Sequence, residues 1–202
     1  RLEQDLIHKN EKIYLQVDFT SNEDYFLILT ASVIVNNRSI PLYFTMRNYP
    51  KRRDQYDHKK MEHAFLKGLK HVLSKKYSYV IVADRGFGNN RFLDFCAEVG
   101  FEYLIRAMPN LKIKHKDSTG IMDKICANDG TYEVKIINWK KTITIHKCSN
   151  EKGEWYLFSN IKDIDHDKAS QIYKDRFKIE KCFQDLKSSG FNMEQSKIGR
   201  AH

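Results

Sequence analysis

The 202-residue sequence contains no CxxC pair; its four cysteines, Cys96, Cys126, Cys148 and Cys182, are scattered singly. That spacing argues against a zinc site and reads as reduced thiols of a cytoplasmic protein. No apolar run approaches the roughly 20 residues that a membrane-spanning helix needs. The polar, charged N-terminus shows no signal- or transit-peptide pattern. Internal repeats and low-complexity tracts are absent. The eight histidines form no HExxH or comparable spacing, and His58 and His63, five apart, are wrongly placed for joint ligation on one helix face.

Positive charge is in excess. Lys and Arg number 35 against 26 Asp and Glu, a net charge of +9 with a pI near 9.3. Such a balance favours a polyanionic partner, nucleic acid first and an acidic membrane surface second. With 41% hydrophobic and 30% charged residues, the chain reads as a soluble globular protein with one substantial core and room for an insertion.

Period-two alternation and β-branched residues predict strands over 12–19, 25–35 and 40–46, an antiparallel meander with short connections. A basic link containing Lys51, Arg52 and Arg53 reads as a solvated charge run. A helical pattern follows over 56–74, then a short apolar strand over 79–83 that ends on Asp84. The turn Arg85-Gly86-Phe87-Gly88 leads to a helix over 90–99 and a strand over 101–106, an order that implies right-handed parallel crossovers. Residues 109–153 read as a β-rich insertion, with strands over 131–137 and 141–146. A strand over 155–159 and a single final helix over 168–187 complete the chain.

Asp18 and Asp84 stand at strand ends, where carboxylates of neighbouring strands can converge on one crevice. On the final helix, Tyr173, Arg176, Glu180 and Lys187 fall within roughly 60° of one another at about 100° per residue. Ile172, Ile179, Cys182 and Leu186 form an adjacent stripe, the expected core face. The bland alternative is a solvated face with an i,i+4 pair between Arg176 and Glu180, worth a few tenths of a kcal/mol.

The pattern Tyr173-x2-Arg176-x3-Glu180-x6-Lys187 resembles the Y-R-E-K signature of bacterial insertion-sequence DDE transposases, insertion-sequence family four. Val17-Asp18-Phe19-Thr20 looks like the first-aspartate segment of that family, and Val82-Ala83-Asp84-Arg85-Gly86-Phe87 like the second. Glu154 to Ser159 is similar to the strand before its last helix. The resemblance spans about residues 12–187, with the motifs in the family's order.

The resemblance implies an α/β, RNase H-like mixed sheet flanked by helices, with core segments 1–108 and 154–202 around the insertion 109–153. It implies that Asp18, Asp84 and Glu180 hold two Mg²⁺ ions, with Mn²⁺ able to substitute. Arg176 and Lys187 would contact DNA phosphates, Tyr173 would donate its hydroxyl to one, and Trp155 would stack on a flipped base. Trp155 reads equally well as a packed strand aromatic. Arg85 could steady Asp84 or reach a phosphate. The implied activity is metal-dependent cleavage and strand transfer in cut-and-paste transposition of double-stranded DNA, at transposon ends and target. Of the same chemistry, a nuclease or resolvase without strand transfer is the alternative; an inactive DNA-binding remnant is the other. A homodimer in the full-length protein, no membrane, and a cytoplasmic, nucleoid-associated location complete the expectations. With 17 residues before Asp18 and 15 after Lys187, the family's N-terminal DNA-binding and C-terminal dimerisation regions are not expected in this chain.

Overall fold

Ten strands form one mixed sheet in the computed structural model, which describes residues 12–22, 26–48, 58–150 and 153–189. The basic link of Lys51, Arg52 and Arg53, and the start of the predicted helix at Tyr56, lie outside the described residues. Strands β1 (Ile13–Asn22), β2 (Phe26–Val35) and β3 (Arg38–Asn48) make the predicted antiparallel meander. Its tight hairpin is turned by Asn36 and Asn37, both at positive φ (48° and 64°), a conformation that asparagine tolerates better than most residues. After helix α1 (His58–Val72), strand β4 (Tyr79–Ala83) pairs parallel with β1. Helix α2 (Asn90–Val99) then leads to β5 (Glu102–Arg106), parallel to β4. Asn89 caps α2 by accepting from Phe92 N at 3.1 Å, and Gly100 ends it at φ 79°.

The stretch expected as an insertion forms β6 (Lys112–His115), β7 (Ser118–Ile121), a one-turn helix α3 (Met122–Ile125), β8 (Gly130–Ile136) and β9 (Lys141–Asn150). These strands continue the main sheet. Strand β10 (Gly153–Ser159) pairs antiparallel with both β9 and β5, giving the order β3-β2-β1-β4-β5-β10-β9-β8-β6-β7. Sequence pattern had shown β8 and β9 but not the four-residue β6 and β7 or the one-turn helix, and the partner of each strand depends on pairings remote in sequence.

Two cores follow from the two faces of the sheet. Leu15 and Val17 of β1, Ile81 and Ala83 of β4, and Tyr103 and Ile105 of β5 face α1 and α2, where Phe65, Leu66, Leu69, Phe92 and Cys96 are fully buried. Val80, Val82, Leu104, Trp155 and Leu157 face the other way, beneath Ala169, Ile172 and Tyr173. Because strand side chains alternate, Asp18 shares the second face with Tyr14 and Gln16.

The final helix differs from the single segment predicted over 168–187. It comprises α4 (His166–Asp175) and α5 (Phe177–Gln184), followed by a π-helical turn over Asp185–Ser189. Arg176 is the joint. Its backbone stays helical at φ −54°, ψ −38°, while hydrogen bonding tightens to i→i−3, with Arg176 N donating to Tyr173 O and Ile179 N to Arg176 O, each at 3.1 Å. The start moves forward to His166 because Asp165 caps it, accepting from Lys168 N at 2.8 Å.

Candidate active site

The parallel pairing of β1 with β4 ends at Val17 opposite Ala83. Asp18 and Asp84 are therefore the next residues on two neighbouring strands running in the same direction. Pairing of β4 with β5 ends at Ala83 opposite Ile105, which sets Arg106 in the same row. Sequence reasoning passed over Arg106, although the strand-end logic that selected both aspartates applies to it. Its charge acts on the Tyr173 hydroxyl.

The backbone around each aspartate is pinned. Asp84 caps the 3-10 turn Arg85–Phe87, accepting from Gly86 N at 2.9 Å. Asp18 accepts from its neighbour's amide, Phe19 N, at 2.8 Å. Phe19 and Phe87 stack at 5.2 Å with planes 5° apart, clamping the two aspartate-bearing segments together on the opposite face. Gly88 permits the close crossing of the turn over β5, since a Cβ there would lie 2.3 Å from the Arg106 carbonyl oxygen. Arg85, beside Asp84, is exposed.

Glu180 arrives from α5, and Arg176 joins it to the strands. Nη1 of Arg176 donates to Asp18 Oδ2 at 3.1 Å, and Nη2 donates to Glu180 Oε1 at 2.6 Å. The Arg176 side chain is 6% exposed, Asp18 17% and Glu180 48%. Its guanidinium lies over the rings of Phe177, at 4.8 Å, and Tyr173, at 5.8 Å. Burial pushes the Asp18 carboxyl up to about 6; Arg176 opposes that, while the charges of Asp84 and Glu180 add to it. The charges of both other carboxylates thus reach Asp18.

The helix face set apart from the expected core stripe is itself partly core. Tyr173 and Arg176, read as part of a polar face beside the core stripe, are buried, because α4 and the joint lie across the strands and aim that face at Asp18. Tyr173 has no solvent exposure, and its hydroxyl has no hydrogen-bond partner of good geometry among the described residues. Nε of Arg176 is likewise without one. Trp155 is 3% exposed, edge-on to Tyr173 at 5.1 Å, and presents no open face for a base in this arrangement. Lys187 lies in the π turn, lining an apolar slot of about 300 Å³ with Thr20, Phe44 and Phe183.

As donors the three carboxylates suit a hard divalent cation, which takes oxygen ligands. As placed, no three acidic, His or Cys side chains among the described residues are spaced to hold a metal. Arg176 stands between two of them instead. No helix among the described residues is long and apolar enough to cross a membrane.

Among solved structures, the chain is similar to endonuclease V from Bacillus subtilis, at 12% identity and a TM-score of 0.43 over 84% of this chain and 73% of that one. It is also similar to Ciona intestinalis endonuclease V in complex with a 24mer DNA containing an inosine followed by a ribo-adenosine. There the identity is 11% and the TM-score 0.41, over 85% of this chain and 81% of that one. Likenesses this remote carry no weight for fold or chemistry. No curated protein matches the sequence. The family described as the transposase DDE domain matches residues 23–199, a span that holds Asp84, Tyr173, Arg176, Glu180 and Lys187 and begins five residues beyond Asp18. With most of its length inside that match, the chain belongs to the transposase DDE domain family.

Proposed function

We propose that this chain is the catalytic core of a cut-and-paste transposase of insertion-sequence family four, cleaving DNA strands and transferring the freed 3′ ends to a target. Family membership already implies a DNA-cleaving, phosphoryl-transferring enzyme. The observation that supports the finer reading is that Asp18 and Asp84 are neighbours where the parallel pairing of β1 and β4 ends, with Arg176 bridging Asp18 to Glu180 of α5. The strand order β3-β2-β1-β4-β5, a meander followed by two parallel strands, supports reading this half of the sheet as RNase H-like.

Asp18, Asp84 and Glu180 would hold two Mg²⁺ ions, or Mn²⁺ in their place. Bound there, the metal supplies activation of the attacking oxygen and stabilisation of the leaving one in an in-line displacement. The other residues bind and orient. Nε of Arg176 and the hydroxyl of Tyr173, donors without partners of good geometry, are suited to phosphate oxygens. Arg106, in the row of Asp18 and Asp84, adds a third cationic or polar donor toward the same phosphate. Lys187, in the π turn beside Thr20 and Phe183, would offer a point charge to a phosphate. Trp155 supports Tyr173 from below; holding a flipped base would require it to leave the core.

Strand transfer separates this reading from a nuclease of the same chemistry. A labelled duplex with the element's 3′-hydroxyl end, incubated with supercoiled plasmid and Mn²⁺, is expected to yield covalently joined label. Nicked plasmid with no joined product over a full time course would make the protein a nuclease.

A further inference from the structure

We propose that Arg176 is an internal counter-cation that closes the carboxylate site, so that a divalent metal enters only as the guanidinium is drawn off, and that a DNA phosphate draws it. The proposal rests on the reading of Asp18, Asp84 and Glu180 as the metal-binding trio.

Three observations carry it. First, the oxygens that Arg176 engages, Asp18 Oδ2 and Glu180 Oε1, belong to the carboxylates a metal would need. A guanidinium between them holds the oxygens at hydrogen-bond length, whereas Mg²⁺ requires oxygens at about 2.0–2.1 Å in near-octahedral geometry. The two occupants exclude each other, which accords with the lack of any metal-spaced cluster among the described residues.

Second, the Arg176 side chain is 6% exposed and that of Asp18 17%, so the Asp18 half of the bridge is screened little by salt. Asp18 and Glu180 both hydrogen-bond to this one guanidinium, so two like charges would face each other with nothing between them were it removed. Some cation must sit there, and the chain provides its own.

Third, the guanidinium has somewhere to go. Phe177 and Tyr173 floor it. Among the described residues, neither Nε nor the Tyr173 hydroxyl has a hydrogen-bond partner of good geometry. A phosphate oxygen would satisfy both, and the planar fork of arginine matches phosphate as well as carboxylate. Exchange of partners moves one positive charge from the carboxylates to DNA while a metal replaces it. By linkage, DNA then tightens metal binding and metal tightens DNA binding by the same factor.

The test is Mn²⁺ binding to the purified chain, read from the loss of the free-ion electron paramagnetic resonance signal, with and without a short duplex. Wild type is expected to bind Mn²⁺ weakly alone and at least tenfold more tightly with DNA. Arg176→Gln is expected to bind Mn²⁺ alone at least tenfold more tightly than wild type, and to gain less than threefold from DNA. Arg176→Lys, which keeps the charge but cannot fork, should fall between the two. Arg176→Gln binding Mn²⁺ no more tightly than wild type would overturn the proposal. Should that variant fail to fold, the wild-type Arg176 Nε–H resonance decides: a shift on saturation with Mg²⁺ and duplex supports the exchange, and an unmoved resonance refutes it. Mn²⁺ binding that survives Asp18→Asn and Glu180→Gln together would bring down the metal-site reading, and this proposal with it. Loss in those variants without tightening in Arg176→Gln would bring down the proposal alone.

Discussion

Arg176 and Asp18, 158 positions apart, are joined by a hydrogen bond of 3.1 Å with both side chains largely out of solvent. Removing one partner of a buried pair leaves the other charge unmatched, which costs about 3–5 kcal/mol. Arg176→Met should lose stability in that range, measured by urea unfolding without metal. Most of the loss comes from Asp18, because Glu180 is half exposed and its pair with Arg176 is worth at most about 1 kcal/mol. Asp18→Asn combined with Arg176→Met should therefore be less destabilised than the sum of the singles, by at least about 1 kcal/mol. Additive losses would show that the two do not interact.

Gly88 is held to glycine by contact. A methyl group would approach the Arg106 carbonyl oxygen to 2.3 Å, a backbone atom that cannot rotate away. Gly88→Ala should destabilise the chain by about 1–3 kcal/mol. It should also lower cleavage more than the stability loss explains, because the turn that carries Asp84 must shift. Melting temperature and single-turnover cleavage below the melt, measured side by side, check both.

Tyr173 and Trp155 are in contact, yet the two substitutions should separate stability from function. The Tyr173 hydroxyl has no partner of good geometry to lose, so Tyr173→Phe should leave stability within about 0.5 kcal/mol. If that hydroxyl donates to a phosphate, DNA cleavage should fall about 10- to 100-fold, the worth of a hydrogen bond to a charged group. Trp155→Ala opens a cavity beneath α4 and should cost about 3–5 kcal/mol. Normal stability in Trp155→Ala would contradict its place in the core.

Two buried groups oppose each other in pH dependence. Burial, with Asp84 and Glu180, raises the Asp18 carboxyl from 3.8 to about 6. The folded chain holds that proton more tightly than the unfolded one, so stability falls as pH rises from about 4 to 6. Burial, with the nearby charge of His166, lowers His146 from 6.5 to about 4. There the unfolded chain binds the proton more tightly, so stability rises between about pH 4 and 6.5. Each effect is on the order of 2–3 kcal/mol. In EDTA these two contributions should nearly cancel over that window. Asp18→Asn should expose a rise of stability with pH, and His146→Gln a fall. Urea midpoints at pH 4, 5, 6 and 7 test it; equal slopes in both variants would contradict the assignment.

Much of this was legible in the sequence because strands announce themselves locally. The apolar run in 79–83 placed Asp84 just past a strand end; the alternation in 12–19 put Asp18 near the end of its strand, whereas β1 runs on to Asn22 and Asp18 stands where only the parallel pairing with β4 stops, which sets the two side by side. The final helix misled for the converse reason. Periodicity set Tyr173 and Arg176 on a polar face apart from the core stripe, whereas Arg176 is buried because it finds its counter-charge on β1, which periodicity does not register. Arg106 was missed because an arginine ending a strand looks ordinary until the parallel β4–β5 register aligns it with Asp84. Joining 109–150 to the main sheet depended on the β9–β10 pairing, which no local signal specifies.

The central claim is that three carboxylates from three elements form one metal-dependent DNA-cutting site. Nicking of supercoiled plasmid by wild type, Asp18→Ala, Asp84→Ala and Glu180→Ala, in Mg²⁺, Mn²⁺ and EDTA, tests it most directly. The account predicts nicking by wild type with either metal, none in EDTA, and a loss of at least a thousandfold in each variant while DNA binding in EDTA is kept. Nicking that persists in any one of the three folded variants, or that proceeds in EDTA, would contradict it.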